Sequence, residues 1–177
     1  MAKIKFLKHT RYYYLDGYFS DSNFIIISEL IETNNKEFEK MMLTNTPVQA
    51  YNGKVGSIDG TLKLKQLAEN YSKVIKDTNE LIPLNLMTVT NDNKTLVIFY
   101  NRQAKRLTYI DKKYIDLFPR KIKLYQTDNP LTGCSCCLDN TYLGAIMPVF
   151  IKDVILPKEL AIVERELISE LDNVEIY

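Results

Sequence analysis

The sequence predicts an α+β fold in which antiparallel sheets carry helices on one face and a βαβββ unit occurs twice. Short runs rich in aliphatic and aromatic residues alternate with turn residues along the 177-residue chain, as is typical of antiparallel strands. One segment has apolar residues three and four apart, which indicates an amphipathic helix. Between residues 61 and 151 the predicted order is α-β-β-β-α-β-β-β, and a strand before the first helix completes the first unit.

The first 46 residues predict strands and a short helix, which form either a half-unit of this kind or an extra arm of the sheet. A domain that contains both units is expected to follow over residues 47–151, with a C-terminal helix and tail over residues 152–177. The predicted elements before the first long helix are the strands Ile4–Leu7, Arg11–Tyr18 and Phe24–Leu30, the helix Asn34–Leu43 and the strand Pro47–Val55.

The clearest helix is Thr61–Asp77, in which leucine, alanine, tyrosine and valine recur at helical spacing. Asp59 and Gly60 supply its start signal. The opposite side is polar with a basic bias and includes Lys63 and Lys73. One side of this helix is therefore expected to pack on a sheet.

Two strand-like runs, Leu84–Thr90 and Thr95–Tyr100, are separated by turn residues and predict a hairpin. Arg106–Tyr109 predicts a third strand. Asp111 is placed to cap a short helix, Lys112–Phe118, in which Lys112 and Lys113 point outward.

The remaining elements are a strand, a hairpin and a helix. Lys121–Tyr125 alternates charged and apolar residues, and Leu131–Leu138 and Tyr142–Ile151 flank a turn at Asp139 and Asn140. Lys158–Leu171 predicts an amphipathic helix that follows Pro157 and packs either on the domain or on a partner protein.

All three cysteines lie together on the strand before that turn, and they raise the question of metal or redox chemistry. A structural zinc site takes four ligands, usually as two separated pairs, and the chain has a single histidine, His9, remote in sequence. On a strand Cys136 and Cys137 point to opposite faces, with Cys134 on the side of Cys136. We expect ordinary strand cysteines, with a thiol or metal-binding protein as the alternative.

Composition excludes several classes of protein and favours none. There are 23 Lys and Arg against 22 Asp and Glu, so the overall charge indicates neither a nucleic acid nor an anionic membrane as partner. No secretory signal, membrane-spanning run or phosphate loop is recognisable, and the cysteine number is odd. These observations predict a cytoplasmic, non-enzymatic protein without a cofactor.

The segment Ile110–Ile151 resembles the last half-domain of bacterial DNA polymerase sliding clamps. The residues that carry the resemblance are KKYIDLF at 112–118, KIKLYQTD at 121–128, NPLTGCSCC at 129–137 and TYLGAIMPVFI at 141–151. The cysteines then occupy positions where the family has apolar strand residues. The chain departs from the family in having room for only one to one and a half of its three domains, and in continuing past the Met-Pro strand.

The resemblance implies a ring whose helices meet DNA phosphates without reading bases. Lys63, Lys73, Lys112 and Lys113 would contact DNA. Met147, Pro148 and Val149 would line a pocket for short apolar peptides of partner proteins.

The leading hypothesis is therefore a non-enzymatic accessory protein of DNA replication or repair that assembles with itself around duplex DNA. A closed ring would need roughly four to six copies. The alternative is a protein-binding adaptor or inhibitor of phage or mobile-element origin that does not contact DNA. The third hypothesis is the thiol or metal protein.

Overall fold

Strands dominate the computed structural model, which describes residues 1–58 and 64–150. Lys63, the first residues of the predicted helix Thr61–Asp77 and the predicted helix Lys158–Leu171 lie outside the described residues. The strands of the described part are β1 (Ala2–Ile4), β2 (Tyr12–Leu15), β3 (Tyr18–Ser20), β4 (Phe24–Ile27), β5 (Ile31–Thr33), β6 (Val48–Tyr51), β7 (Lys54–Ser57), β8 (Ile82–Val89), β9 (Thr95–Asn101), β10 (Arg106–Asp111), β11 (Lys123–Tyr125), β12 (Cys134–Leu138) and β13 (Thr141–Ile146). The helices there are α1 (Lys36–Leu43), α2 (Leu64–Ser72) and α3 (Lys112–Ile115).

The largest layer is an eight-stranded sheet in the order β11-β12-β13-β4-β3-β2-β6-β7. A three-stranded sheet, β10-β9-β8, packs against it, and β1 pairs with β5 in parallel. Every pairing within the two larger sheets is antiparallel. The predicted α+β class with mostly antiparallel sheets is confirmed.

The element order α2-β8-β9-β10-α3-β11-β12-β13 agrees with the order predicted for residues 61 to 151. The two sets of three strands lie in different sheets, however. Strands β8 to β10 form the small sheet, whereas β11 to β13 continue the large sheet beside β4, β3 and β2 from the first 46 residues. Strands from both predicted segments, 1–46 and 47–151, thus share one sheet.

Two predicted strands are hairpins instead. The predicted strand Arg11–Tyr18 folds back at Asp16 and Gly17, whose φ angles are 47° and 88°, to give β2 and β3. The predicted strand Pro47–Val55 folds back in the same way at Asn52 and Gly53, with φ angles of 55° and 80°. Asp-Gly and Asn-Gly accept two consecutive positive φ angles, and such turns match the twist of paired strands.

Helices cover both faces of the eight-stranded sheet, which differs from the predicted single face. Along β4, Phe24 and Ile26 belong to the main core together with Phe38 of α1 and Tyr114 of α3. Ile25 points the other way and packs in a second cluster with Ala68 of α2. Since neighbouring strand residues face opposite sides of a sheet, α2 lies on one face and α1 and α3 lie on the other.

α2 is fixed to its face by close contacts with β12 and with the residues that flank the β12–β13 hairpin. A Cβ at Gly133 would lie 2.7 Å from the ring of Tyr71, so glycine allows the helix to approach. The Ser135 hydroxyl donates to the Tyr71 carbonyl at 2.6 Å, and the Tyr71 hydroxyl donates to Met147 Sδ at 3.5 Å. The helix therefore has a defined register on the sheet.

A buried amide joins the two larger sheets. Gln126 Oε1 accepts from Asn101 Nδ2 at 3.0 Å and from the Thr108 hydroxyl at 2.8 Å. Its Nε2 donates to the Pro130 and Thr132 carbonyls at 3.0 and 2.8 Å. Each polar atom of the buried side chain has a partner, so the network fixes β10 against the loop that follows β11.

No helix within residues 1–58 and 64–150 has both the length and the apolar composition needed to cross a membrane.

Candidate nucleic-acid interface

A cleft of about 660 Å³ opens beside the loop that connects β1 to β2. Its basic side chains are Lys3, Lys5, Arg11 and Lys113, with His9 beside them. Asp21 is the acidic residue of its lining. We call this cavity the basic cleft, because its ionisable side chains give it a positive charge although the whole chain is nearly neutral.

The loop is held in place by Phe6. The Phe6 ring stacks on Tyr12 with centroids 4.1 Å apart, and its plane meets that of Phe38 nearly at right angles, 5.0 Å away. The Phe6 N–H donates to Asn34 Oδ1 at 3.0 Å, and the Leu7 N–H donates to the Tyr12 hydroxyl at 2.8 Å. With the apolar ring anchored inward, the neighbouring lysines remain exposed at the mouth of the cleft.

The opposite wall of the basic cleft is α3. Asp111 caps this helix, as predicted, by accepting the Lys113 N–H at 3.1 Å. Lys113 Nζ lies 3.8 Å from the Asp111 carboxylate and 4.9 Å from the Tyr114 ring centroid. Asp111 is buried, but the Lys113 side chain is 60% exposed and this separation is long for an ion pair, so the ammonium group can still bind an anion.

Tyr114 supports that wall as a neutral group. Its ring packs on Phe24 with centroids 5.4 Å apart, and its hydroxyl accepts from Asn23 Nδ2 at 2.9 Å. Burial, followed by the nearby charges of Asp21 and Asp111, raises the pKa of Tyr114 to about 12. The hydroxyl therefore stays protonated near neutral pH.

Asp21 is engaged with its own turn. Its Oδ1 accepts the N–H groups of Asn23 at 2.6 Å and Phe24 at 3.2 Å. Burial raises the pKa of Asp21, although these hydrogen bonds and Lys113 act in the opposite direction. The carboxylate fixes the turn and offsets part of the positive charge of the cleft.

Tyr51 links the basic cleft to a second cavity of about 430 Å³ along the same loop, since it lines both. The Arg11 guanidinium carbon lies 4.5 Å from the centroid of the Tyr51 ring, a cation–π geometry. Tyr51 is 38% exposed, which is high for an aromatic side chain at the end of a strand. The pair presents flat surfaces to solvent where the two cavities meet.

The structure brings one of the predicted DNA-binding lysines, Lys113, into the basic cleft. Lys112 instead forms an ion pair with Asp116 at 2.7 Å. Lys73 directly follows α2, on the other face of the large sheet from α3. Lys73 and Lys113 therefore lie on opposite sides of the large sheet and do not form one continuous DNA-binding surface.

The predicted peptide-binding residues also occupy different environments. Met147 lines a small pocket of about 110 Å³ together with Leu67 and Tyr71. Pro148 is buried. Val149 donates its N–H to the Tyr109 carbonyl at 2.8 Å and packs on the small sheet.

The three cysteines are buried strand residues. Cys134 and Cys136 are fully buried in the main core, and a register shift separates Cys136 from Cys137. Burial raises the pKa of each of these thiols, so the reactive thiolate form is disfavoured. Over residues 1–58 and 64–150 no three His, Cys, Asp or Glu side chains are grouped so as to hold a metal ion.

Sequence analysis missed most of the basic cleft, although a signal was present. Lys3, Lys5, Lys8 and Arg11 fall within nine residues, interrupted by Phe6 and Leu7. An apolar anchor within a basic run is also compatible with a strand, which is the prediction for Ile4–Leu7 within this run. The partners Tyr51 and Lys113 are distant in sequence and could be assigned only from the fold.

Comparisons with protein-family models, with curated proteins and with solved structures gave no match.

Proposed function

We propose that this protein is a non-enzymatic accessory protein of DNA replication or repair that holds the phosphate backbone of DNA in the basic cleft. The observation that carries the proposal is the meeting of Lys3, Lys5 and Arg11 with Lys113, which is about a hundred residues away in sequence, around one cavity. Lysine and arginine contacts to phosphates supply most of the sequence-independent affinity for DNA. Such binding requires positioned cations and no catalytic group.

The proposal includes a clamp-like architecture for residues 64–146. Its support is the order α2-β8-β9-β10-α3-β11-β12-β13 and the motifs of residues 110–151. If copies assemble into a ring around duplex DNA, light scattering should give a mass of roughly four to six chains. A strict monomer would contradict the ring and leave binding by the cleft to be tested on its own.

The test of the proposal is DNA binding by a charge-neutralised cleft. Four substitutions to glutamine, at Lys3, Lys5, Arg11 and Lys113, should abolish measurable binding of a fluorescein-labelled DNA oligonucleotide in an anisotropy titration. For the unsubstituted protein, four phosphate contacts predict that log K falls with log salt with a slope of about −3 to −4. Affinity should then drop roughly 50-fold or more between 50 and 200 mM salt.

A matched control removes the same number of cations elsewhere. Glutamine at Lys94, Lys105, Arg106 and Lys121, which do not line the basic cleft, should leave the affinity within about threefold. Equal losses in both variants would indicate general charge attraction and contradict a defined site. Glutamine at Lys73 and Lys112 provides the separate test of the helix lysines.

A second candidate function, a protein-binding adaptor or inhibitor, is favoured by exposed apolar side chains. Leu86, Met87 and Val89 are exposed on β8, an edge strand without a charged residue, and Met147 lines the small pocket beside Leu67. Exposed apolar groups on an edge strand are a common feature of protein-binding surfaces. A stoichiometric partner that is retained at high salt, and released by Met87→Lys or Leu67→Glu, would favour this function.

A further inference from the structure

We infer that the basic cleft takes an unpaired nucleic-acid strand, with a base stacked at the Arg11–Tyr51 pair and phosphates on the surrounding lysines. This inference rests on the proposed function and narrows the ligand of the basic cleft from DNA in general to an unpaired strand; the ring around duplex DNA is a separate part of the proposal. It comes from the size of the cleft, the flat surfaces at one end and the connection to the second cavity.

The size of the basic cleft matches part of a single strand. Its volume of about 660 Å³ lies within the range of cavities that enclose small organic molecules, about 300–1,000 Å³. In a duplex the bases are stacked inside the helix, and a protein meets phosphates and groove edges from outside. A cavity of this size therefore encloses a base only when the base is unpaired.

The Arg11–Tyr51 pair offers the contact that an unpaired base uses. Bases of single strands stack on tyrosine rings and on guanidinium planes, and this contact tolerates any base. Tyr51 ends β6 and pairs with Lys54 of β7 across the Asn52–Gly53 turn, and the preceding residue, Ala50, pairs with Tyr12 of β2. The ring is held in position before a ligand arrives, which lowers the entropic cost of binding.

The two cavities define a path for the strand. Four residues line both cavities, so the basic cleft and the second cavity meet at these side chains: Leu7, Thr10, Tyr12 and Tyr51. A strand with its phosphates at Lys3, Lys5 and Lys113 would pass the Arg11–Tyr51 pair as it leaves the cleft.

The test compares the binding of an unpaired strand with that of a duplex, and the binding by the unsubstituted protein with that by a variant without the Tyr51 ring. Anisotropy titrations use a labelled oligothymidine, which has no internal pairing, and a labelled hairpin duplex with the same number of phosphates. We expect the oligothymidine to bind at least tenfold more tightly. Tyr51→Leu should weaken oligothymidine binding roughly 5- to 150-fold, the range that corresponds to 1–3 kcal/mol per stacked base, and change duplex binding little.

Tyr51→Phe is the matched control, because it keeps the ring and loses only the hydroxyl, and it should bind as the unsubstituted protein does. The inference is overturned if the duplex binds as tightly as the oligothymidine, or if Tyr51→Leu binds oligothymidine normally. Binding of neither strand form would instead overturn the proposed function. An oligouridine arm separates DNA from RNA: tighter binding of oligouridine would contradict DNA as the ligand in the proposed function and would still support an unpaired strand in the cleft.

Discussion

The fold buries one group of ionisable side chains and exposes another. The buried group is the three cysteines of strand β12, and the exposed group is the basic residues of the segment Lys3–Arg11. β12 lies inside the eight-stranded sheet, where Cys134 and Cys136 are 0% exposed. Lys3, Lys5 and Arg11 are exposed at the mouth of a cleft. A residue type with reactive chemistry becomes functional only where the fold gives it access to a ligand.

The difference has a simple structural origin. β12 is paired on both sides, by β11 and β13, and α2 and the main core cover its faces. The segment Lys3–Arg11 contributes only Lys3 and Ile4 to β1 and then leaves the sheet as a loop anchored by Phe6. Loops over a rigid scaffold can present polar side chains that a paired strand must bury or pack.

The largest expected effect is on stability, in the buried part of the large sheet beside β12. Gly144 on β13 pairs with Cys136 and with Ile26, its φ is +152°, and a Cβ there would overlap the Ile25 carbonyl oxygen. Gly144→Ala should therefore lower the free energy of unfolding by about 3 kcal/mol or more, measured by urea denaturation.

Gly56→Ala is the matched control, because Gly56 also lies in a strand but has no atom within 4 Å of the added Cβ. Its effect should stay within about 0.5 kcal/mol. Similar losses in the two variants would show that the close packing at β13 is not what stabilises the sheet interior.

An intermediate effect is expected at the cysteines. Cys134→Ser places a hydroxyl in the main core, where the thiol it replaces is fully buried. An unsatisfied buried hydroxyl costs about 1–3 kcal/mol of unfolding free energy, and DNA affinity of the folded protein should not change.

In the native protein, a water-soluble thiol reagent should label Cys134 and Cys136 slowly, whereas in urea all three cysteines should react at once. Rapid labelling of Cys134 and Cys136 without denaturant would show that these thiols are accessible and would favour the hypothesis of a thiol or metal-binding protein.

The smallest expected effect is at the acid of the basic cleft. Asp21→Asn removes a negative charge near the lysines, while the amide oxygen can still accept from Asn23 and Phe24. DNA affinity should rise by roughly threefold in the anisotropy assay, the size expected of a partly screened charge. Asp16→Asn, at an exposed turn outside the cleft, should leave the affinity unchanged.

The same variant changes the response of stability to pH. Because burial raises the pKa of Asp21 above its ordinary value of 3.8, the folded state binds this proton more tightly than the unfolded state does. The contribution of Asp21 to stability is therefore present below pH 3.8 and is lost as the pH rises through the raised pKa. Asp21→Asn should remove this loss. In urea unfolding at successive pH values, the free energy of unfolding should therefore decline less with rising pH than it does in the unsubstituted protein.

The sequence by itself determined the elements whose signals are local. The helical spacing that begins before Leu64 gave α2, and the Asp111 cap gave α3. The turn at Asp139 and Asn140 gave the β12–β13 hairpin, because these residues accept the positive φ angles of 48° and 66° that the turn requires. Asp16–Gly17 and Asn52–Gly53 carried the same kind of signal, so their hairpins could also have been predicted.

Only the tertiary structure decided which strands are neighbours and which distant side chains share a site. The insertion of β4, β3 and β2 between β13 and β6 depends on long-range pairing, which no local pattern specifies. The same pairing brings Lys113 to the N-terminal lysines and Tyr51 to Arg11, and it buries Gln126 among partners from three separate segments. Local propensity acts over a few residues, whereas the basic cleft is made by burial and strand pairing across the whole described chain.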